Sequence, residues 1–515
     1  MRKVGNWLYC AIKYMHIVLI GVIALVCLVF SDTYYACKKA ELSLPAIVYV
    51  LLGVGVLVLL YVLVYCLEPH LRRLKYRRVY VVAASLAMFG MLVMLSCHYY
   101  FTSGWDVGIV YDAACAIAEG DEAGLSHYYM SVQPNNIFIS YIFSVLIKMA
   151  KVFGIMDYYI VLVVAQCFVF ALGGFLLWEA GNCLYGGRTA TWSWLIYAGL
   201  VGLSPWVVVP YTDSMGLIFP IGQIYLWTRI LKRRARRSFS FFLLGVLTYV
   251  GMQMKMQSVI VGIAGCIVLA LLYMRSQEHK RIRGYVGSAI SFVGGVVVAV
   301  VVVSLCISST GLQIDKGLSK TPTHYLMMGL NEDTNGVFSE EDCNFSLGYR
   351  DKTERTIAEL KVIKRRVTDM GVTGLVDLWT KKILTNYNDG SFAWWVEGSF
   401  YTEAGAEKDN TLALFLQNFY YKDGKYHVYF INGVHVLWMG VLALNLLAVF
   451  EKRKDAAIYI SFLALIGIAL FELLFEARAR YIFTYVPIYI LMACGNAEQV
   501  LERIQGLCQK RNVRG

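Results

Sequence analysis

The sequence predicts an all-α polytopic membrane protein, with about twelve spanning helices, interfacial helices and one external α-rich domain. Three observations carry this. The 515 residues are 58% hydrophobic and only 16% charged, with a mean hydropathy of +0.57, whereas soluble domains carry roughly 25% charged residues. Apolar runs of about 17 to 25 residues, enough to cross a ~30 Å hydrocarbon core, recur along most of the chain. These runs are continuous rather than alternating, which excludes a membrane barrel and leaves helices to satisfy the backbone.

The formal charge of +12 does not point to nucleic acid, because the basic residues sit in short clusters at the ends of apolar runs, where they set orientation. Of 13 cysteines, Cys27, Cys167, Cys266 and Cys306 lie inside apolar runs and none forms a CxxC pair. They read as small buried hydrophobes, with no disulfide framework. The first apolar run is too long for a signal-peptide core and is read as a retained helix.

Taken in order, the basic start MRKVGNWLYCAIK is placed in the cytoplasm. Helices are expected at about 14–31 and 44–67. EPHLRRLKYRR (68–78) returns the chain inside, and a third helix at about 79–97 delivers the polar stretch 98–136 to the outer face. LKRRARR (231–237) is inside again, so the helix before it, at about 213–231, starts outside. Three apolar stretches, at about 135–153, 157–178 and 190–209, lie between these two outer points. An odd number of crossings cannot return to the same side. The first stretch begins with Asn135 and Asn136 and ends with Lys148 and Lys151, so it is read as an interfacial helix. Spans at about 238–252, 256–274, 284–308, 428–450, 456–475 and 481–497 complete the set, with KRIRG (280–284), EKRK (451–454) and the basic tail inside, and both termini cytoplasmic. The division is an N-terminal helix pair (1–78), a membrane core (79–308), an external domain (309–427) and C-terminal spans (428–515). In the external domain, Ile357, Leu360, Ile363, Val367 and Met370 recur at helical spacing over 352–370, with Lys361, Lys364 and Arg365 outward. A second helix is expected over 372–386.

Asp106 follows Trp105 just after the third span. Aromatics Tyr99, Tyr100, Phe101 and Trp105 surround it in sequence, so it suits a general base toward a hydroxyl; its alternative is a solvated loop aspartate. Asp213, among Pro205, Pro210 and Pro220, is a second site candidate or a helix N-cap. Lys255, between two apolar runs, suits a phosphate or snorkels to the interface. In FEARARY, Glu476, Arg478, Arg480 and Tyr481 sit at an outer helix end. Arginines there oppose the positive-inside tendency, which favours anion binding. His324 is a further candidate, with a structural role as its alternative. Trp394 and Trp395 suit sugar stacking or interfacial anchoring. Asn331 to Asp342 matches a calcium loop poorly and reads as a polar turn. No P-loop, GxSxG, HExxH or Rossmann fingerprint is present.

Asp106 in the first large external loop, the interfacial helix, Asp213 further along and the arginines of FEARARY together resemble the GT-C superfamily of membrane glycosyltransferases, which includes protein mannosyltransferases and aminoarabinose transferases. The likeness covers most of 79–497. It implies an inverting enzyme of the cell envelope that moves a sugar from a polyprenyl-phosphate donor to a hydroxyl of a lipid, glycan or protein acceptor. Asp106 and Asp213 would be catalytic, and Lys255, Glu476, Arg478, Arg480, Tyr481, His324, Trp394 and Trp395 would bind substrate. No cofactor is expected beyond a divalent cation, and Val107 and Gly108 stand where the superfamily's acidic pair would continue. A transporter or flippase is the competing class, but the paired broken helices it would carry are not evident.

Overall fold

A computed structural model describes residues 2–30, 42–73, 77–232, 237–275, 282–398, 401–404, 410–453 and 455–512. Parts of the expected basic turns, at 74–76, 233–236, 280–281 and 454, and the tail end at 513–515 lie outside the described residues.

The chain begins with α1 (Arg2–Val29), α2 (Ala46–Arg73) and α3 (Arg77–Ser96). Strand β1 (Phe101–Ser103) leads into α4 (Asp106–Glu119), α5 (His127–Val132) and α6 (Ile137–Val152). The core continues through α7 (Tyr158–Leu184), α8 (Gly187–Tyr197), α9 (Thr212–Met215), α10 (Ile218–Leu231), α11 (Arg237–Met254), α12 (Val259–Arg275) and α13 (Ile282–Ser308). Then come α14 (Pro322–Gly329), α15 (Glu340–Leu347), α16 (Lys352–Tyr387), strand β2 (Tyr401–Ala404) and α17 (Thr411–Tyr420). Last are α18 (His427–Asn445), α19 (Ala456–Leu474), α20 (Ala479–Phe483) and α21 (Val486–Asn512). Side-chain caps set several of these starts: Asp157 accepts from Ile160 N before α7, Ser339 from Asp342 N before α15, and Asp455 from Ala457 N before α19.

Polar ties sort the helix ends into two groups. At one end, Arg78 at the start of α3 pairs with Glu179 near the end of α7 at 2.6 Å. Arg188 of α8 pairs with Glu498 of α21, and Lys232 after α10 with Asp455 before α19. At the other end, the Tyr100 hydroxyl after α3 donates to Asp157 before α7 at 2.6 Å, and Lys255 after α11 meets Asp213 before α10. Consecutive long helices therefore alternate in direction between these groups.

α6 does not join that alternation. Its start, through Asn136, contacts Tyr211 at the second group of ends. Its far end stays beside α4, where Lys151 pairs with Glu119 at 2.9 Å, and the chain then reaches Asp157, which is tied to Tyr100. Both ends of α6 thus lie at the same end of the bundle, as the parity of the crossings required. By length and apolar content alone, 134–152 is nevertheless among nine helices of the described residues able to cross a membrane. The expected spans at about 190–209, 213–231, 238–252 and 481–497 are not among those nine. The first is broken into α8, a π turn at 198–202 and a 3-10 turn at Pro205–Val208. The second divides into α9 and α10 around Gly216.

Outside the bundle, α16 joins the two expected helices across a break at Gly371, whose φ of +56° only glycine adopts freely. Lys361, Lys364 and Arg365 are exposed as expected, but Ile357 and Leu360 of the apolar stripe also remain about half exposed. β1 pairs antiparallel with β2, with Phe101 opposite Ala404, so the stretch before Asp106 is fastened to the 309–427 region.

The N-terminal pair is packed into the bundle through α2 and α18. A Cβ at Gly53 would strike the Val436 carbonyl oxygen and the backbone of Gly440, so the two backbones touch where both residues lack side chains. Gly53→Val is expected to force α2 away from α18, lowering stability by about 1–3 kcal/mol. Thermal unfolding in detergent measures it, and an unchanged midpoint would show that the contact is dispensable.

Candidate functional site

The second group of ends surrounds a cavity of about 470 Å³. Charged side chains reach its wall from four separate parts of the chain: the start of α4, the turn between α11 and α12, the segment at Lys320, and the loop from α19 to α20. Asp106 is the first residue of α4, where the positive helix end favours a carboxylate. It is half-buried, and the Tyr211 hydroxyl stands 3.5 Å from its Oδ2. Asn136 bridges behind, contacting the Tyr211 hydroxyl at 3.4 Å and donating to the Tyr129 hydroxyl at 2.7 Å.

Asp213 lies in the first turn of α9, with Tyr211 at the cap position, so the N-cap role is not the one it takes. Its carboxylate faces cations instead. Lys255 Nζ is 2.5 Å from Oδ1 and Arg480 Nε 3.3 Å from Oδ2. Two cations thus share one buried carboxylate, and opposite charge holds the group together. Arg480 also reaches Glu397 at 3.1 Å, and Glu397 in turn takes Arg478 at 2.5 Å. Glu476 accepts from Arg478 at 3.1 Å and from the Tyr481 hydroxyl at 3.3 Å. Aromatic faces cover the cations: the Arg480 guanidinium is 4.1 Å from the Trp105 ring centre, and Lys255 Nζ is 3.7 Å from that of Tyr481. Asp106 and Asp213 are therefore joined through Arg480, Trp105 and Tyr211.

Six expected residues meet on this wall: Asp106, Lys255, Glu476, Arg478, Arg480 and Tyr481. Asp213 stands directly behind Lys255 and Arg480. Three others do not line the cavity. His324 is fully buried, with Ser346 Oγ 2.8 Å from its Nδ1, and burial lowers its pKa to about 3, leaving a neutral structural imidazole. Trp394 is buried against Trp206, with its indole N–H donating to the Tyr420 carbonyl at 2.7 Å. Trp395 is 8% exposed and also off the cavity wall. Sugar stacking is thus not available to this pair, which is core. Asp112 sits on the exposed side of α4. The 331–342 stretch is a turn, with Asn335 and Gly336 at positive φ and Asp342 paired with Arg366.

Among the described residues no group of three His, Cys, Asp or Glu side chains is placed to hold a metal ion. The Asp106 carboxylate meets the Tyr211 hydroxyl, with Asn136 behind it, rather than a second carboxylate. A divalent cation does not fit this donor set.

Several site residues were not singled out from the sequence. Gln133, Lys320 and Tyr325 line the cavity, and Lys382 supports it from behind. Lys382 is fully buried, and its ammonium donates to the carbonyls of Gly329 at 2.8 Å and Phe475 at 2.6 Å. It thereby fastens α16 to the loop that carries Glu476 and Arg478. A lysine inside an amphipathic helical pattern carries no mark of this.

The fold and the cavity define a polytopic helical membrane protein with a charged site at one end of its bundle. Within that class the chain belongs to the family described as a conserved hypothetical integral membrane protein, which it matches over residues 4–501. A comparison with curated proteins returned no match.

Arg480→Ala would leave only Lys255 and Arg478 against Asp213, Glu397 and Glu476, one buried negative charge in excess, and a loss of roughly 3–5 kcal/mol is expected. Thermal unfolding of the variant measures it, with Arg480→Lys recovering part. Lys382 gives a pH signature. Burial lowers it from near 10.5 to about 7, so between those values the unfolded chain binds more protons, and this group's contribution rises with pH. The stability of the wild type relative to Lys382→Met is expected to rise from about pH 7 to about pH 9. A gap independent of pH would refute the assignment.

Proposed function

We propose that the protein is an inverting glycosyltransferase of the cell membrane, moving a sugar from a polyprenyl-phosphate donor to a hydroxyl acceptor at the outer face. The single observation that supports this most is the convergence of a half-buried carboxylate, Asp106, and cavity-lining cations, Lys255, Arg478 and Arg480, on one cavity at one end of a helical bundle.

Each part has a chemical role. Asp106 takes the proton of the acceptor hydroxyl as its oxygen bonds to the anomeric carbon. The bond from that carbon to the phosphate oxygen breaks, and its electron pair leaves with the lipid phosphate. Attack opposite the leaving group inverts the configuration. Polyprenyl phosphate is a stable anion, so its departure needs positive charge rather than a second, acidic carboxylate. Lys255 and Arg480 supply that charge. An ammonium carries three N–H donors and a guanidinium five, so their pairing with Asp213 leaves donors for a phosphate. Met252, Met254, Met256 and Phe471 on the same cavity suit an isoprenoid chain, since methionine adapts to irregular apolar shapes. Tyr211, bonded through Asn136, fixes the side of Asp106 from which a hydroxyl can approach.

The test is purified protein in liposomes with polyprenyl-phosphate sugars. Asp106→Asn is expected to lower transfer by about 10²–10⁴-fold while the protein stays folded. Normal turnover by this variant would sink the role of Asp106. Movement of the lipid between leaflets without sugar transfer would replace the enzyme with a flippase.

A further inference from the structure

Six ionic side chains line the cavity: Asp106, Lys255, Lys320, Glu476, Arg478 and Arg480. Three of the four cations are already matched. Lys255, Arg478 and Arg480 close on Asp213, Glu397 and Glu476 as three positive against three negative charges. Asp106 and Lys320 are left over.

Lys320 pairs with no carboxylate among the described residues. Its ammonium lies 3.3 Å from the Cys343 sulfur. Burial raises that thiol above its ordinary value, although Lys320 itself works the other way, so the thiol is neutral and does not cancel the charge. Nearby carboxylates are engaged elsewhere. Asp342 holds Arg366 at 2.7 Å. Glu359, fully buried, accepts from Thr321 at 2.7 Å and Ser346 at 2.8 Å, and also from Thr323. An unmatched cation held half-buried on a cavity wall is unfavourable in the empty protein and becomes favourable when an anion arrives.

The backbone around Lys320 is built to keep it there. Arg355, 1% exposed, donates to the carbonyls of Gly317 at 2.7 Å and Ser319 at 2.9 Å. Glu359 holds Thr321 on the other side. The Lys320 amide itself donates to the Val132 carbonyl at 3.4 Å. Two buried charged side chains of α16 thus clamp the residues flanking Lys320, which is the support a binding group needs. This part of the wall differs from the methionine side. Gln133, Asn135 and Tyr325 bring polar groups to it beside Pro134, Met328 and Phe338, and the Tyr325 hydroxyl donates to Gln133 at 3.1 Å.

We propose that Lys320 binds an anionic group of the acceptor, so that the acceptor is a hydroxyl compound carrying a phosphate or carboxylate close to its attacking oxygen. The word acceptor rests on the glycosyltransferase reading, whereas the anion subsite does not. The donor phosphate stays with Lys255 and Arg480, beside the apolar wall. The acceptor enters along the polar wall, with Lys320 taking its charge and Asp106 its hydroxyl proton.

The test uses the full chain in phosphatidylcholine nanodiscs and needs no turnover. Calorimetry compares sn-glycerol 1-phosphate, which has both a hydroxyl and a phosphate, with glycerol. The wild type is expected to bind the phosphate at least about tenfold more tightly. Lys320→Met and Lys320→Gln should abolish that preference, and Lys320→Arg should retain most of it. Polyprenyl phosphate should leave glycerol phosphate binding intact. In nanodiscs containing phosphatidylglycerol, suppressed binding assigns the subsite to a lipid headgroup and unsuppressed binding to a soluble anion; both support an anionic ligand there. Equal binding of glycerol and glycerol phosphate, unchanged affinity in folded Lys320→Met and Lys320→Gln, or competition by polyprenyl phosphate would each overturn the proposal. If the subsite behaves as expected but no polyprenyl-phosphate sugar supports transfer, the transferase reading fails and the anion subsite stands.

Discussion

The closed ion network of Asp213, Glu397 and Glu476 with Lys255, Arg478 and Arg480 is the constraint on which the cavity end of the bundle depends. Its members come from four places in the chain, and no two neighbouring elements would hold the geometry alone. Buried charges of one sign are expensive, so each member requires the others. Satisfying them forces the turn after α11, the short α9, the 394–398 turn and the loop before α20 to meet at one point. The aromatic faces of Trp105 and Tyr481 complete the enclosure. Because Trp105 immediately precedes Asp106, the network also sets where α4 begins, and so where its first carboxylate points.

That same closure changes the meaning of the arginines. An arginine at an outer helix end is unusual enough in sequence to suggest an anion site. In three dimensions Arg478 and Arg480 first serve the protein, holding Glu397 and Asp213. The two roles are compatible because a guanidinium carries five N–H donors, more than its carboxylate partners occupy.

Much of the architecture was legible because it follows from local quantities. Apolar run length, basic clusters and the parity of crossings place α6 apart from the alternating helices, and the ties of Asn136 and Lys151 agree with that. The break at Gly371 falls between the two expected helices. What was not legible depends on partners far away in the chain. Trp394 and Trp395 look like a sugar platform until Trp206 is seen packed against the first of them. His324 looks available until Ser346 and the fold around it enclose the ring. The matching of Arg480 with Asp213 spans most of the membrane core, and no spacing rule links them. Lys320 went unnoticed for the opposite reason, because its distinction is the lack of a carboxylate partner, which only the finished charge balance reveals.

The 309–427 region then reads as part of the site rather than an appendage. Three fully or almost fully buried charged residues of α16, Arg355, Glu359 and Lys382, are turned toward backbone and hydroxyl groups. Arg355 and Glu359 fix the approach to Lys320, and Lys382 fixes the carbonyl of Phe475 just before Glu476. Burying a guanidinium, a carboxylate and an ammonium in one helix is a poor way to gain stability, since apolar side chains would serve better. It is a good way to hold particular carbonyls in particular places, because each charged group is satisfied in only one arrangement of its partners. The region therefore sets both walls of the cavity, the polar one directly and the arginine loop through Lys382.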